Sequence, residues 1–559
     1  MEQKLTTIIN ELYGLDVQPQ ISRPAAEFGD YASNVALQLA GRVGKNPREV
    51  AEALAAKLQE TGDFSEVTIA GPGFINVRVS GVSIARRLEG EWSEHYGESQ
   101  EGAGKTAIVE YPSPNMAKPY SVGHLRPGNQ GWAAKQLLQA TGWKVITDNH
   151  LGDYGAPLGI WITGFLHYSS EEALIKDGVY ELGRVYIETK KALKEEAAQG
   201  ESALADEAQS WLLKFEAGDD EAKAFSDRFN QISIDHIHEV MGRLKISTDY
   251  ELGEAFFAPL GKEAVQELLA KGVAVQNDDG SVIVPLDGFD VPLLVQKSNG
   301  TALYATTDLA TMLYRKQHFN PDKIVHAVGA EQQFYFAQLF AMAKKLGLTA
   351  ENIHLWFGVI DQLNEDGTRE KMSSRKGVVL MEELLNQAEE KARSVVENRD
   401  VTEEDVKKIA LGAIKFSDFV SDRRTNILFD WNTIFALTGV SGPYVQYAAV
   451  RVNKILTGNG HGNSFDENYT YDDEKAVIAK IVEYPEVVRR AADELEPHKV
   501  ANYLYELARE LNRYYEATPV AVGDVSEAVK EARLGVLAKA AHVFAHGLNI
   551  LGIEVPEKM

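Results

Sequence analysis

A change of periodicity at Thr106 constrains the fold more than any other feature of the chain. There the apolar run TAIVEY is followed by a Pro-rich loop, a helical stretch (WAAKQLLQA) and a second apolar run, WKVITDN. Strand, loop, helix, strand is the pattern of a βαβ unit, which sets the two strands parallel and places a ligand site at their carboxyl ends. More strand-like runs (SVIVPL, VPLLVQ, DKIVHAVG, HLWFGVI) follow a charged, helical stretch near 165–245, which reads as an insertion into the sheet domain.

The flanking regions differ. Residues 1–101 read as a small α+β unit. MEQKLTTIINELYGL is an amphipathic helix, helical spacing runs through Tyr31–Leu39 and Val50–Leu58, and VTIA and FINVRV are strands joined by Gly71-Pro72-Gly73. The polar linker GESQEGAGK then leads into a sheet domain expected over 102–390. Residues 391–559 read as all helix: KVANYLYELARELNRYYE puts Val500, Tyr503, Leu504, Leu507, Ala508, Leu511, Tyr514 and Tyr515 on one face.

Composition excludes several classes. With no cysteine there is no disulfide and no thiolate zinc site. No run approaches the roughly 20 apolar residues that cross a bilayer, and the polar N-terminus lacks a signal-peptide core, so a cytoplasmic protein is expected. A net charge of −25 argues against a general nucleic-acid binder. Any RNA contact must use local basic patches on an acidic body.

Two segments carry chemistry. YPSPNMAKPYSVGHLR (Tyr111–Arg126) joins the first strand to the next helix. A helix N-terminus offers free N–H groups and a positive dipole end to phosphate. Gly123 lets a flat base approach the backbone. His124 can donate to a phosphate oxygen, and Lys118 adds a cation. Alone, this could be a Pro-rich turn capped by Ser121. KMSSRKG (Lys371–Gly377) lies downstream in a polar loop suited to a pyrophosphate leaving group. Alone, it could be a solvated basic turn.

Together, and in this order around a sheet, the two segments resemble the signature motifs of class I aminoacyl-tRNA synthetases, and SPNMAKPYSVGHLR resembles the arginyl version. The likeness continues through EFGDYASNVALQLA, KSNGTALYATTDLA, SGPYVQYAAVR and the ending HGLNILGIEVPEKM, so it spans nearly the whole chain in order. It implies a Rossmann-like α/β catalytic domain, a small α+β N-terminal tRNA-binding domain and a helical anticodon-binding domain. The implied activity is ATP-dependent formation of arginyl-adenylate and its transfer to tRNA, with Mg2+, without zinc, by a monomer that needs bound tRNA to activate arginine. The rival reading is a catalytically silent relative that only binds RNA or an amino acid.

The resemblance also assigns residues. His124 and Lys371 would act on the phosphates, with Gly123, Ser373, Ser374 and Arg375 at ATP. Asn115 would hold the arginine backbone. Tyr304, Asp308, Glu254 and Gln332 would form the pocket, with Gln333 as an alternative to Gln332. For Asp308 and Glu254 the competing reading is an ordinary helix-start acid. Tyr444, Gln446, Tyr447 and Arg451 would read RNA, although tyrosines at helical spacing also suit a core. Two positions depart from the family pattern. Ser121 stands where a histidine is usual, and Ser374 stands where a second lysine is usual, a loss for which Lys118 is expected to substitute.

Overall fold

The protein is described here from a computed structural model covering residues 1–559 except 23, 155, 299–302, 364–367, 373–378, 398, 463–464 and 519–524. The described chain falls into two compact units. One comprises Met1–Gly97, Ala448–Glu486 and Tyr503–His546, and the other Glu98–Tyr447, Val487–Asn502 and Gly547–Met559.

The larger unit is built on the expected βαβ element. Strand Thr106–Glu110 leads through the first signature segment into helix Leu125–Ala140 and strand Lys144–Asp148. These strands pair in parallel, and Lys323–His326 and Glu351–His354 extend the sheet on the other edge. Strands buried on both faces need apolar residues on both sides. Accordingly Ala107, Val109 and Val325 are buried with Ala134 and Leu138 of the helix. The carboxyl ends of the strands present Glu110, Asp148, His326 and His354 to one edge.

Three additions shape that edge. Helices Ala156–Tyr168, Glu171–Ala198, Ala203–Glu216 and Asp220–Arg243 form the insertion, closed over Trp161, Phe165, Trp211 and Phe229. A three-stranded antiparallel sheet (Val275–Gln276, Val282–Val284, Leu293–Gln296) precedes helix Tyr304–His318. A second three-stranded sheet joins Ile360–Leu363 to Arg369–Lys371 and to Ile427–Leu428.

HLWFGVI is not one strand. The strand ends at His354 and another begins at Ile360. Between them Gly358 donates its N–H to the Arg423 carbonyl and its carbonyl accepts from Arg126, so this backbone is spent on loop contacts. The chain's last residues belong to the same unit. Gln446 donates to the Glu554 carbonyl, Glu557 N–H donates to Asp405, and Met559 packs on the core under helices Met381–Val395 and Glu403–Phe419.

In the smaller unit the strand order Ile21–Ser22, Tyr31–Ser33, Phe74–Val79, Phe64–Ala70 makes an antiparallel sheet. Its core is shared with helices Glu2–Tyr13, Val35–Val43 and Pro47–Glu60 through Leu5, Ile9, Leu39, Leu54 and Leu58. Tyr31–Ser33 was expected as helix but is strand. It pairs with Ile75–Val77, and the helix starts only at Val35. Among the described residues no helix is long and apolar enough to cross a membrane.

Candidate active site

The site lies at the carboxyl ends of the parallel strands and has two ends. One is a set of carboxylates. Main-chain bonds first fix three segments together: Gly152 N–H donates to Pro114 O, Met116 N–H to Gly152 O, and Glu254 N–H to Leu151 O. This ties Asn115, exposed in its loop, to the start of helix Glu254–Ala270. Asp153 caps that helix, accepting from Ala255 N–H at 2.7 Å. Gly253 is required there, because a Cβ would lie 2.5 Å from the Asp153 carboxylate.

Glu254 is pushed up to about 8, first by burial and then by the negative charges of Asp308 and Asp153. Asp308, on helix Tyr304–His318, is also raised by burial and accepts a hydrogen bond from the Tyr335 hydroxyl. Gln332 is exposed at the head of helix Gln333–Lys345, three residues before Tyr335. Tyr304 opens its helix, but its side chain lies outside the described ones.

Several residues here carried no sequence signal. Arg315 bridges Glu110 and Asp148, each at 2.7 Å. Burial opposes the charge on Glu110, but His326 and Arg315 hold it well below the usual carboxylate range. His150 has both ring nitrogens buried and unpartnered among the described residues, and its electrostatic influence reaches Asp153, Asp308 and Glu110. Asp153 and Tyr335 were likewise missed. Only the NHLGD run, directly after a strand end, could have flagged His150 and Asp153. Half-buried carboxylates whose pKa values are raised by burial, and in the case of Glu254 by the charges of the other two, would be relieved by a cation.

The other end joins the two signature segments. Ser121 and Leu380 form an isolated antiparallel bridge. Val122 N–H donates to Val379 O at 3.0 Å and Met381 N–H to Tyr120 O at 3.0 Å. The strand before the second motif is placed by Met372 N–H donating to Ile360 O. As a result Gly123 and Lys371 line one cavity of about 150 Å3 with Gly329, Glu331, Phe357 and Val359. Arg126 also lines it, and its Nη2 is buried without a partner among the described residues. An open glycine face, an apolar wall and orphaned cationic N–H groups fit a nucleotide. Ser373, Ser374 and Arg375 lie outside the described residues.

His124 heads the signature helix, its ring 4.7 Å from that of Tyr120. Burial lowers its pKa to about 4; the hydrogen bond with the Ser121 main chain opposes that shift, and the nearby Lys118 charge adds to it. Lys118 itself sits with its ammonium 5.1 Å over the Tyr186 ring of the helical insertion. The helix is anchored by Asp418, 1% exposed, which accepts from Arg126 Nε at 2.9 Å, Asn129 at 3.1 Å and Gln130 at 3.2 Å.

Of the residues expected at RNA, Tyr447 is 37% exposed, Tyr444 is half-buried, and the Arg451 guanidinium stacks 4.5 Å over the Tyr515 ring. Gln446 departs from the expectation. It is 0% exposed, and its amide donates to the Lys408 and Glu554 carbonyls. It fills the gap left by Gly412, where a Cβ would lie 2.4 Å from it. A buried amide holding two carbonyls serves packing instead of an RNA surface.

Comparison with known proteins agrees with this geometry. Residues 92–431 match the family model described as tRNA synthetases class I (R), catalytic domain. Residues 445–559 match the DALR anticodon binding domain, and residues 1–79 the arginyl tRNA synthetase N terminal domain. The arginine–tRNA ligase of Lactobacillus delbrueckii subsp. bulgaricus is 33% identical over 97% of this chain and 96% of its own. That of Lactococcus lactis subsp. cremoris is 32% identical over 100% of this chain and 99% of its own. The fold is similar to that of Thermus thermophilus arginyl-tRNA synthetase, with TM-score 0.75, 24% identity and 100% and 99% of the two chains covered. With one third identity over almost the full length of both chains, and the matched domains in order, this chain belongs to the arginyl-tRNA synthetases of class I.

Proposed function

We propose that the chain condenses arginine with ATP to arginyl-adenylate and passes the arginine to the 3′ end of tRNA. The observation that carries this reading is the set of mutually repelling carboxylates Glu254, Asp308 and Asp153, in a chain whose Gly123 and Lys371 share a cavity. A guanidinium supplies the missing charge and a planar array of donors, which neutral amino acids cannot do.

In this reading Asp308 and Glu254 hold the guanidinium, with Tyr304 and Gln332 closing the pocket and Asn115 at the arginine backbone. An arginine carboxylate oxygen attacks the α-phosphorus and pyrophosphate leaves; attack by the tRNA 3′ hydroxyl then makes the ester and releases AMP. Catalysis rests on positioning and on donors aimed at phosphate charge that grows in the transition state. His124 and Lys371 supply them, with Gly123, Ser373, Ser374 and Arg375 at the nucleotide. Mg2+ bound with the triphosphate supplies further charge neutralisation. Lys118 contributes from the insertion side. Tyr444, Tyr447 and Arg451 would each contribute stacking or cationic contacts to anticodon-side RNA. The enzyme acts as a cytoplasmic monomer.

Bound tRNA is required for the first step. The phosphate end lacks one lysine and one histidine of the family pattern, so its closure needs energy from a ligand that prefers the closed form. The test is pyrophosphate exchange with each amino acid, with and without tRNA lacking a reactive 3′ end. Exchange is expected with arginine alone among the amino acids and only with tRNA present. Exchange with another amino acid overturns the specificity, and strong exchange without RNA overturns the tRNA requirement.

A further inference from the structure

Ser121 of the first signature segment is held against the ring of His124. The main-chain N–H of Ser121 donates to His124 Nδ1 at 3.2 Å, and the Ser121 hydroxyl lies 3.3 Å from the same nitrogen. An amide N–H can only donate, so Nδ1 must offer its lone pair. In a neutral ring the proton is then on Nε2. The serine is held in turn: its residue bridges Leu380, and the carbonyl of Ser121 accepts the His124 N–H at 2.9 Å. The serine side chain is therefore turned back onto the imidazole.

From this we infer that Ser121 is a positioning residue, which locks His124 in the Nε2–H tautomer as a neutral hydrogen-bond donor to phosphate. This rests on the role given to His124 above. It assigns Ser121 a different task from the phosphate contact a histidine at that position would make. A hydroxyl can donate to the Nδ1 lone pair beside the amide and narrow the ring's orientation. The amide makes the other tautomer costly, since a proton on Nδ1 would face its N–H, and with the tautomer fixed in this way the hydroxyl is left to donate. Burial, which lowers the pKa of the ring against the opposing effect of the Ser121 main chain, keeps the imidazole neutral at pH 7.

The test combines spectroscopy and kinetics. In uniformly 15N-histidine-labelled enzyme, the His124 resonances are assigned by their loss in His124→Gln. At pH 7 an unprotonated Nδ1 and a protonated Nε2 are expected. Observing an Nδ1–H ring or an imidazolium overturns the proposal. Adenylate formation, measured with tRNA present, is then compared in Ser121→Ala and Ser121→Thr. Loss of one neutral hydrogen bond lowers kcat about threefold to tenfold in the alanine variant. The KM for ATP stays unchanged, and threonine restores most of the rate. A raised KM for ATP at unchanged kcat marks the hydroxyl as a phosphate ligand and overturns the proposal, as does an alanine variant with unaltered kcat. If His124→Gln forms adenylate normally, the catalytic role of His124 fails, while the tautomer remains readable in the spectrum.

Discussion

The two ends of the site are held in opposite ways. At the end proposed for the amino acid, main-chain bonds and helix capping set the segments in place, and the carboxylates are half-buried close enough to raise one another's pKa. At the phosphate end, a half-buried histidine and an exposed lysine meet across a few backbone bonds between two loops. The first end stores its specificity as electrostatic strain in the empty protein. The second has little stored and takes its order from neighbouring elements. On the proposed assignment, amino-acid choice would rest on the first end and the rate of chemistry on how well the second is assembled.

The largest effect is expected at the element that anchors the phosphate end. Asp418→Asn leaves Arg126 without its buried carboxylate partner. Breaking such a pair costs about 3–5 kcal/mol of stability. A denaturant midpoint shifted by far less would show that the signature helix is held by its apolar face alone.

At the amino-acid end, Asp308→Asn is expected to weaken arginine binding by about 2–5 kcal/mol. ATP binding stays nearly intact. Calorimetric titration with each ligand checks this, and equal losses for both would erase the distinction between the two ends. Lys371→Ala should lower kcat for adenylate formation about a hundredfold, because it removes a cation from growing phosphate charge. Arginine affinity is retained, and a collapse of that affinity instead would place Lys371 with the pocket.

The smallest effect is a pH dependence. In the empty pocket Glu254 titrates near 8 and is therefore mostly protonated at pH 7. A guanidinium favours the ionised form, so its binding releases a proton. Arginine affinity then rises with pH, by up to about tenfold per unit below pH 8, and levels off above it. Glu254→Gln flattens the profile. Stability of the empty protein has the opposite sign. A carboxyl raised on folding contributes most below its unfolded pKa and loses that contribution as pH rises through 8. The glutamine variant is therefore expected to melt higher than the parent at pH 8.5 without arginine. An unchanged melting point there would mean that Glu254 is not strained.

The segments from which the candidate site is built were legible because they are written locally. The βαβ pattern, the signature segments and the acids at 254 and 308 all depend on runs of a few residues, which periodicity and motif spacing report directly. Tyr31–Ser33 and HLWFGVI were misjudged because local propensity does not know the partner. The first became strand through pairing with Ile75–Val77, and the second broke where Arg126 and Arg423 took its backbone groups.

By itself, then, the sequence determined the α/β class, the order of elements and which side chains carry charge. Tertiary structure alone decided which charges press on one another and which face inward. It turned Gln446 into the gap at Gly412, gave His150 and Asp153 to the pocket, and folded Ser121 back onto His124. It also brought the C-terminal Met559 onto the core of the larger unit, so a truncation near residue 400 would strip that unit as well as the C-terminal helices. The reason is physical. Burial, pairing and pKa arise from segments hundreds of residues apart in the chain, and a linear pattern carries no record of which of them meet.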